Sequence, residues 1–283
     1  MDMLLATPID YHRLYDENTF FIRDLDILYD ISVIIPIRGR HNFMRKTLQS
    51  LQNAMANTDL KIAITISEHS GLWELEDYFE TDPVNYIHLN ANGAFNKCLA
   101  NNIAFLYSVR ARYYLFQDVD FQVRSDFFLS LEENLLKKDA RAMQCFPRKT
   151  YISLLPEITN DILNDNISIN DLKFDLPTVN GGATGGSILV KRELFLEVGG
   201  YDPELFWSYA PEDIFFWEKI STLDYFHECD DPPIKQYHLW HPHNHNRNVD
   251  LPRMQELVQL FKNMDHDSKK QFLQYKSSIL QQA

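Results

Sequence analysis

Four groups of residues in this sequence have types and spacings suited to chemistry. Asp118-Val119-Asp120 sets two carboxylates one residue apart. At the end of a strand, a local turn would aim both into one pocket. A hard divalent cation takes oxygen ligands, commonly one or two carboxylates together with substrate phosphates. The same tripeptide also suits a solvated turn leading to a helix capped at Ser125. The second group is His238-Leu-Trp-His241-Pro-His243-Asn-His245, which holds four of the ten histidines. His238 and His241 stand where an imidazole would reach that cation. A nitrogen ligand added to carboxylate oxygens suits manganese better than a pure oxygen cage. A polar loop titrating near neutral pH, or an independent metal site, would use the same histidines.

The third group is the acid pair Glu212-Asp213, preceded by Trp207-Ser-Tyr-Ala-Pro211. At a helix start such a pair compensates the dipole. In a closing loop it also offers a general base, with the aromatics before it packed on a substrate. The fourth group is Arg38, Arg40 and Lys97, each following an expected strand in an acid-free neighbourhood. Arginine grips phosphate bidentately and stacks on bases. Taken singly, each is equally an ordinary surface cation.

These groups need a scaffold that gathers them. Ile31-Ser-Val-Ile-Ile-Pro36 reads as a buried strand, followed by a helix from His41 to Met55 with apolar residues at helical spacing. Further strands are expected at 60–67, 84–89 and 113–116, with a helix over 94–109. Beyond them come a helix at 127–138 and strands near 142–146 and 187–190. Short helices at 192–198 and 211–220 and a strand at 234–240 follow. Residues 254–280 are helical and amphipathic. This alternation predicts an α/β fold with a largely parallel sheet and helices on its faces. Ligands bind such sheets at the carboxyl ends of the strands, where Arg38-Gly39-Arg40 and Asp118-Val119-Asp120 both fall. Residues 154–180, with five acids and little periodicity, read as a surface excursion or lid. Residues 1–250 are expected to form one domain, with a nucleotide-binding half at 31–122 and an acceptor or catalytic half at 123–250. Residues 251–283 form a C-terminal helical extension, either packed on the core or joining a second module or dimer partner.

Composition bounds the function. The chain has 283 residues and a formal charge of −13, which argues against a general nucleic-acid binder. The apolar runs are too short to cross a bilayer, so no transmembrane segment is expected. Nor do the first sixteen residues have the basic-then-apolar order of a signal peptide. Three well-separated cysteines read as reduced thiols in a cytoplasmic setting. The charge is uneven: residues 31–50 and 84–117 contain no acid, whereas 197–231 hold ten acids and a single lysine. Six of nine glycines cluster between 181 and 200.

The four groups occur in an order that resembles GT-A-fold glycosyltransferases. The closest likeness is to the β-1,4-galactosyltransferase group, its chondroitin-polymerase-like relatives and the polypeptide N-acetylgalactosaminyltransferases. The matching stretches are Ile34-Ile-Pro36-Ile-Arg38-Gly-Arg40, Phe95-Asn-Lys97 and Phe116-Gln-Asp118-Val-Asp120. They continue with Gly185-Gly186, Phe195 through Gly199-Gly200-Tyr201, and Trp207-Ser-Tyr-Ala-Pro-Glu212-Asp213. The likeness spans about 31–247, with 154–180 unmatched.

The resemblance implies a metal-dependent inverting transfer from a UDP-sugar to a hydroxyl of a glycan or glycoconjugate, with Mn2+ or Mg2+ as cofactor. It assigns Pro36, Arg38, Arg40 and Lys97 to the nucleotide side. Asp120 would ligate the metal, with Asp118 beside it on the ribose or a metal-bound water. Either His238 or His241 would complete the set. Asp213 becomes the general base, and Glu212 positions a sugar. Gly185 and Gly186 would admit the sugar to the backbone, with Trp207 in the lid. Ser208, Ala210 and Pro211 replace family glycines, and Ala183 replaces an aromatic, which favours an N-acetylhexosamine donor. A sugar nucleotidyltransferase is disfavoured by the lone glycine in Pro36-Ile-Arg-Gly-Arg40. A degenerate nucleotide-sugar-binding module is the non-enzyme alternative.

Overall fold

The structure is a computed structural model that describes residues 4, 6–72, 84–133, 141–144, 151–172, 185–208, 210–223, 236–242 and 250–283. A helix, α1 (Tyr11–Glu17), precedes a seven-stranded sheet. Along the sheet the order is β1 (Thr19–Phe21), β4 (Asn85–Asn90), β3 (Ile62–Ser70), β2 (Tyr29–Ile37), β5 (Ala111–Gln117), β9 (Ser187–Lys191) and β7 (Ala142–Gln144). The four central strands β4, β3, β2 and β5 are mutually parallel. Strand β9 runs antiparallel to β5 and β7, and β1 runs antiparallel to β4. The mostly parallel α/β sheet expected from the alternation is therefore present, with mixed flanks.

Strand residues alternate between two cores, as a period of two requires. Val33 and Ile35 of β2, Tyr113 and Leu115 of β5, and Leu189 of β9 face one layer. That layer is closed by Met44, Leu48 and Leu51 of α2 (His41–Met55) and by Phe127 and Phe128 of α4 (Phe127–Leu131). Ile34, Tyr114, Phe116, Ile188 and Val190 face the other layer. There they meet α3 (Lys97–Tyr107), α6 (Arg192–Glu197), α7 (Glu212–Ser221), α8 (Leu251–Asn263) and α9 (His266–Gln282). Burial on both faces explains why β2 reads as a continuous apolar run. Pro36 lies beyond Ile34, the last residue of β2 paired with β5, while it still pairs with Ser67 of β3.

A second, three-stranded sheet has the order β6 (Phe121–Val123), β10 (Gln236–His238), β8 (Tyr151–Ser153). The first half of the 154–180 excursion is not a featureless lid. Pro156–Leu163 is a helix, α5, and Ile162, Ile169 and Leu172 form a small core with Tyr237 and Leu239. Eight residues with few inward apolar positions carry too little periodicity to declare a helix. The second half, 173–180, lies outside the described residues, as do Ala183, Cys145, Cys229, His243 and His245.

The C-terminal helical stretch is broken in two, because Asp265 caps α9 by accepting from the Ser268 N–H. The apolar stripes of both helices are spent on the main core: Phe261 and Phe272 pack on Phe215 of α7, at 5.0 and 6.1 Å between ring centres. Among the described residues, no helix is long and apolar enough to cross a membrane.

Candidate functional site

The carboxyl ends of the parallel strands form one rim, and each of the four groups contributes to it. Asp118 and Asp120 follow β5 immediately. The Asp118 N–H donates to the Gly186 carbonyl (2.8 Å), and the Phe121 N–H donates to the Asp118 carbonyl (3.2 Å), which closes the turn. From α2, the Thr47 hydroxyl donates to the Val119 carbonyl at 2.7 Å, pinning the turn from below. Because β9 starts opposite the end of β5, with Ser187 paired to Gln117, Gly185-Gly186 reaches the same rim.

The second sheet delivers the histidines. Strand β10 pairs with β6, the strand that leaves Asp120, and this sets His238 opposite Phe121. The Leu239 N–H then donates to the Asp120 carbonyl at 2.8 Å. His241 Nε2 lies 3.1 Å from one Asp120 carboxylate oxygen, and His238 Nε2 lies 3.8 Å from the other. Asp120, His238 and His241 each offer a ligand atom, all within 4.8 Å of one another. The expectation named either histidine; the structure brings both to Asp120, with His241 nearer. One carboxylate and two imidazoles are a donor set that fits a first-row divalent ion such as Mn2+.

Arg40 does not stand free on this rim. Its guanidinium is ion-paired with Asp120, and its backbone is left-handed, at φ 59°, as the helix α2 starts. Arg38 donates instead to the Gly93 carbonyl. It sits near His69, whose imidazole is lowered to about 4 by burial and by the charges of Arg38 and His88.

Lys97 opens α3 behind the N-cap Asn96, whose side chain accepts from the Leu99 N–H. The expected helix start at 94 is shifted by this cap. The Lys97 ammonium is 2.9 Å from Asp118, 3.2 Å from Asp213 and 3.5 Å from Glu212. Burial would lower its pKa, but the three carboxylates outweigh burial and raise it well above the ordinary lysine value. One cation cannot neutralise three acids. Glu212 is pushed up to about 8, first by burial and then by Asp213, which favours its protonated form relative to an ordinary glutamate. Asp118 is also raised, by burial above all and with Asp120 and Asp213 adding to it, against the pull of Lys97. Asp120 goes the other way. Burial would raise it, but the His241 hydrogen bond and the charges of His238 and Arg40 hold it below the usual carboxylate range.

Packing alone gives the glycine pair a reason. A Cβ on Gly185 would lie 1.6 Å from the Asp213 carboxylate, and one on Gly186, at φ +100°, would lie 2.6 Å from the Phe121 ring. At both positions the protein's own side chains approach the backbone too closely for a Cβ. Pro36 is buried near the end of β2, and Trp207 is half-buried against the main core. Residues that support the rim without belonging to a motif escaped sequence reasoning. Asn102 donates to the Tyr201 carbonyl and accepts from the Tyr201 N–H, both at 2.9 Å, and Asn96 donates to the Pro203 carbonyl at 3.0 Å. Only Asn96 carried a signal, as a cap residue before an apolar run.

No protein-family model and no curated relative matches the sequence. Solved structures do resemble the fold. A mannosyltransferase from Pyrobaculum calidifontis, in complex with GDP-Man and Mn2+, is 16% identical with a TM-score of 0.53, over 95% of this chain and 76% of that one. TarS of S. aureus, in complex with UDP-GlcNAc, is 14% identical with a TM-score of 0.53, over 86% and 70%. GalNAc-T7, with UDP, GalNAc and Mn2+, is 13% identical with a TM-score of 0.54, over 86% of this chain and 50% of that one. With its central parallel strands, antiparallel β9 and helices on both faces, this chain has the GT-A glycosyltransferase fold.

Proposed function

We propose that this chain is a metal-dependent, inverting glycosyltransferase. It moves a hexose or N-acetylhexosamine from a UDP-sugar to a hydroxyl of a glycan or glycoconjugate. The observation that carries this reading is the pairing on one rim of two unlike clusters: Asp120 with His238 and His241, and Lys97 with Asp118, Glu212 and Asp213. The fold shared with nucleotide-sugar enzymes supports it.

Asp120, His238 and His241 would hold the divalent ion, with Asp118 beside them. When bound, that ion supplies Lewis-acid stabilisation of the leaving diphosphate. Arg40 is the cation nearest Asp120 and would turn toward the diphosphate as the ion takes its place. Lys97 keeps the acid cluster from repelling an anionic donor. A protonated Glu212 donates a hydrogen bond to a sugar hydroxyl rather than accepting a proton, so the base role falls to Asp213. Asp213 takes the proton of the acceptor hydroxyl as its oxygen attacks the anomeric carbon from the face opposite the leaving group. Its carboxylate is backed by the Gly185 backbone and held near Lys97.

The test is a screen of UDP-galactose, UDP-N-acetylgalactosamine, UDP-N-acetylglucosamine and GDP-mannose for nucleotide release, with manganese and EDTA arms. Release from a UDP-sugar that requires manganese is expected. Preference for GDP-mannose would overturn the choice of base. Preference for UDP-galactose would overturn the N-acetylhexosamine assignment.

A further inference from the structure

Beneath the acid pair lies a buried ionic cluster that no motif announces. Asp202 is 2% exposed, Lys219 is 0% exposed and Lys276 is 5% exposed. The two lysines flank the Asp202 carboxylate: Lys219 Nζ donates to Oδ2 at 2.6 Å, and Lys276 Nζ stands 3.0 Å from Oδ1 as an ion pair without hydrogen-bond geometry. Lys219 also donates to the Gly200 carbonyl, and Lys276 also pairs with Glu204. Two ammonium groups thus meet two carboxylates, and every member has an opposite charge beside it, as buried ions require.

The cluster joins three elements. Lys219 belongs to α7, seven residues after Glu212, hence two turns along on the same face. Lys276 belongs to α9. Asp202 and Glu204 belong to the segment 199–206, which feeds Trp207 and the start of α7. Helix α9 lies directly on that segment, for a Cβ on Gly199 would come within 2.3 Å of Lys276 Cβ and 2.5 Å of its backbone carbon. Asn102 and Asn96 fix the same segment from α3.

We propose that Lys276 is a positioning residue. Through Asp202 and Lys219 it ties the C-terminal helix to α7 and so sets where Glu212 and Asp213 stand on the rim. Without Lys276, Glu204 loses its buried cation and one Asp202 oxygen is released. The carboxylate then turns to Lys219, and α7 loses its ionic link to α9 while the Phe215–Phe272 ring contact remains. The Asp120–His238–His241 group hangs on β5, β6 and β10, so it does not depend on this link. The inference rests on the proposed role of the acid pair for its kinetic consequence, but not for its structural one.

The test uses the full chain carrying Lys276→Met, with Lys276→Arg as the conservative variant. Amide hydrogen exchange is read over 200–214 and, as a reference, over 111–123. Manganese-dependent UDP affinity and turnover are measured alongside. In Lys276→Met, exchange over 200–214 should rise at least tenfold with 111–123 unchanged. UDP affinity should stay within twofold while kcat falls at least tenfold, and Lys276→Arg should recover most of that loss. If Lys276→Met does not fold, Glu204→Gln keeps Lys276 on Asp202 and should give the same selective exchange at a smaller amplitude. Uniform exchange across both regions, or kcat within twofold of the parent, would overturn the proposal. A parent that turns over no donor defeats the glycosyltransferase reading instead, and the exchange result still decides the positioning.

Discussion

Lys97 is one cation among three carboxylates, and that imbalance separates their roles. Burial raises Glu212 to about 8, which favours its protonated form, and the proposed function gives the base role to Asp213. Asp213→Asn preserves shape and the hydrogen bond to Lys97 but cannot accept a proton. Turnover should fall by roughly 10²-fold or more, the scale of general-base catalysis, with UDP affinity within twofold. Steady-state kinetics beside a titration of UDP and manganese checks this. His69 gives a pH prediction away from the metal group. Its folded pKa of about 4 lies below the ordinary value of 6.5, with burial the largest cause. The fold therefore favours the neutral ring. The contribution is complete above pH 6.5 and is lost as pH falls toward 4, at about 1.4 kcal/mol per pH unit within that window. Denaturant melts at pH 7, 5.5 and 4 should show this loss, and His69→Gln should flatten it.

At the scale of elements, the rim is assembled by strand ends and held by side chains that no motif contains. Gly185 allows β9 to start against Asp213. Gly185→Ala would drive a Cβ into that carboxylate, so turnover should fall as far as in Asp213→Asn, with a stability loss of about 1–3 kcal/mol from overpacking. A thermal melt and a turnover assay on one preparation separate the two effects. Asn102→Ala strips both backbone partners from Tyr201. Two buried groups left unpaired should cost roughly 2–4 kcal/mol, readable as a lower denaturant midpoint. The parallel strands and α2, α3 and α7 were legible in the sequence because long elements repeat their apolar period. Strands β6, β8 and β10 were not, or only in part. Each has three residues, and their pairing sets Tyr237 between Gln122 and Ile152, residues that lie far apart in the chain. For the same reason, the acids, histidines and cations of the rim could be nominated from their spacing. Their partners could not: Arg40 with Asp120, or Lys97 amid Asp118 and Asp213, exist only once the sheet closes. Nor does single-sequence periodicity reveal the Asp202–Lys219–Lys276 cluster, since lone buried ions look like surface ones.

For the whole molecule, the charge of −13 bears directly on how an anionic substrate would bind. The acid-free stretches 31–50 and 84–117 bring Arg40 and Lys97 to the rim, yet both are already engaged with Asp120, Asp118 and Asp213. An anionic nucleotide sugar therefore needs an added cation to bind here, and its affinity should collapse on chelation. The C-terminal helices pack on the main core, since Phe261 and Phe272 complete the packing around Phe215. A chain ending at residue 250 should not yield a folded, two-state domain by thermal melt. The account's central claim is tested most directly by nucleotide release from UDP-sugars in the presence of a glycan acceptor, comparing manganese, EDTA and Asp213→Asn arms. It predicts release with manganese that is lost on chelation and falls at least a hundredfold in the variant. Release untouched by EDTA or by Asp213→Asn would contradict it, as would a parent chain that binds UDP and manganese yet turns over no donor.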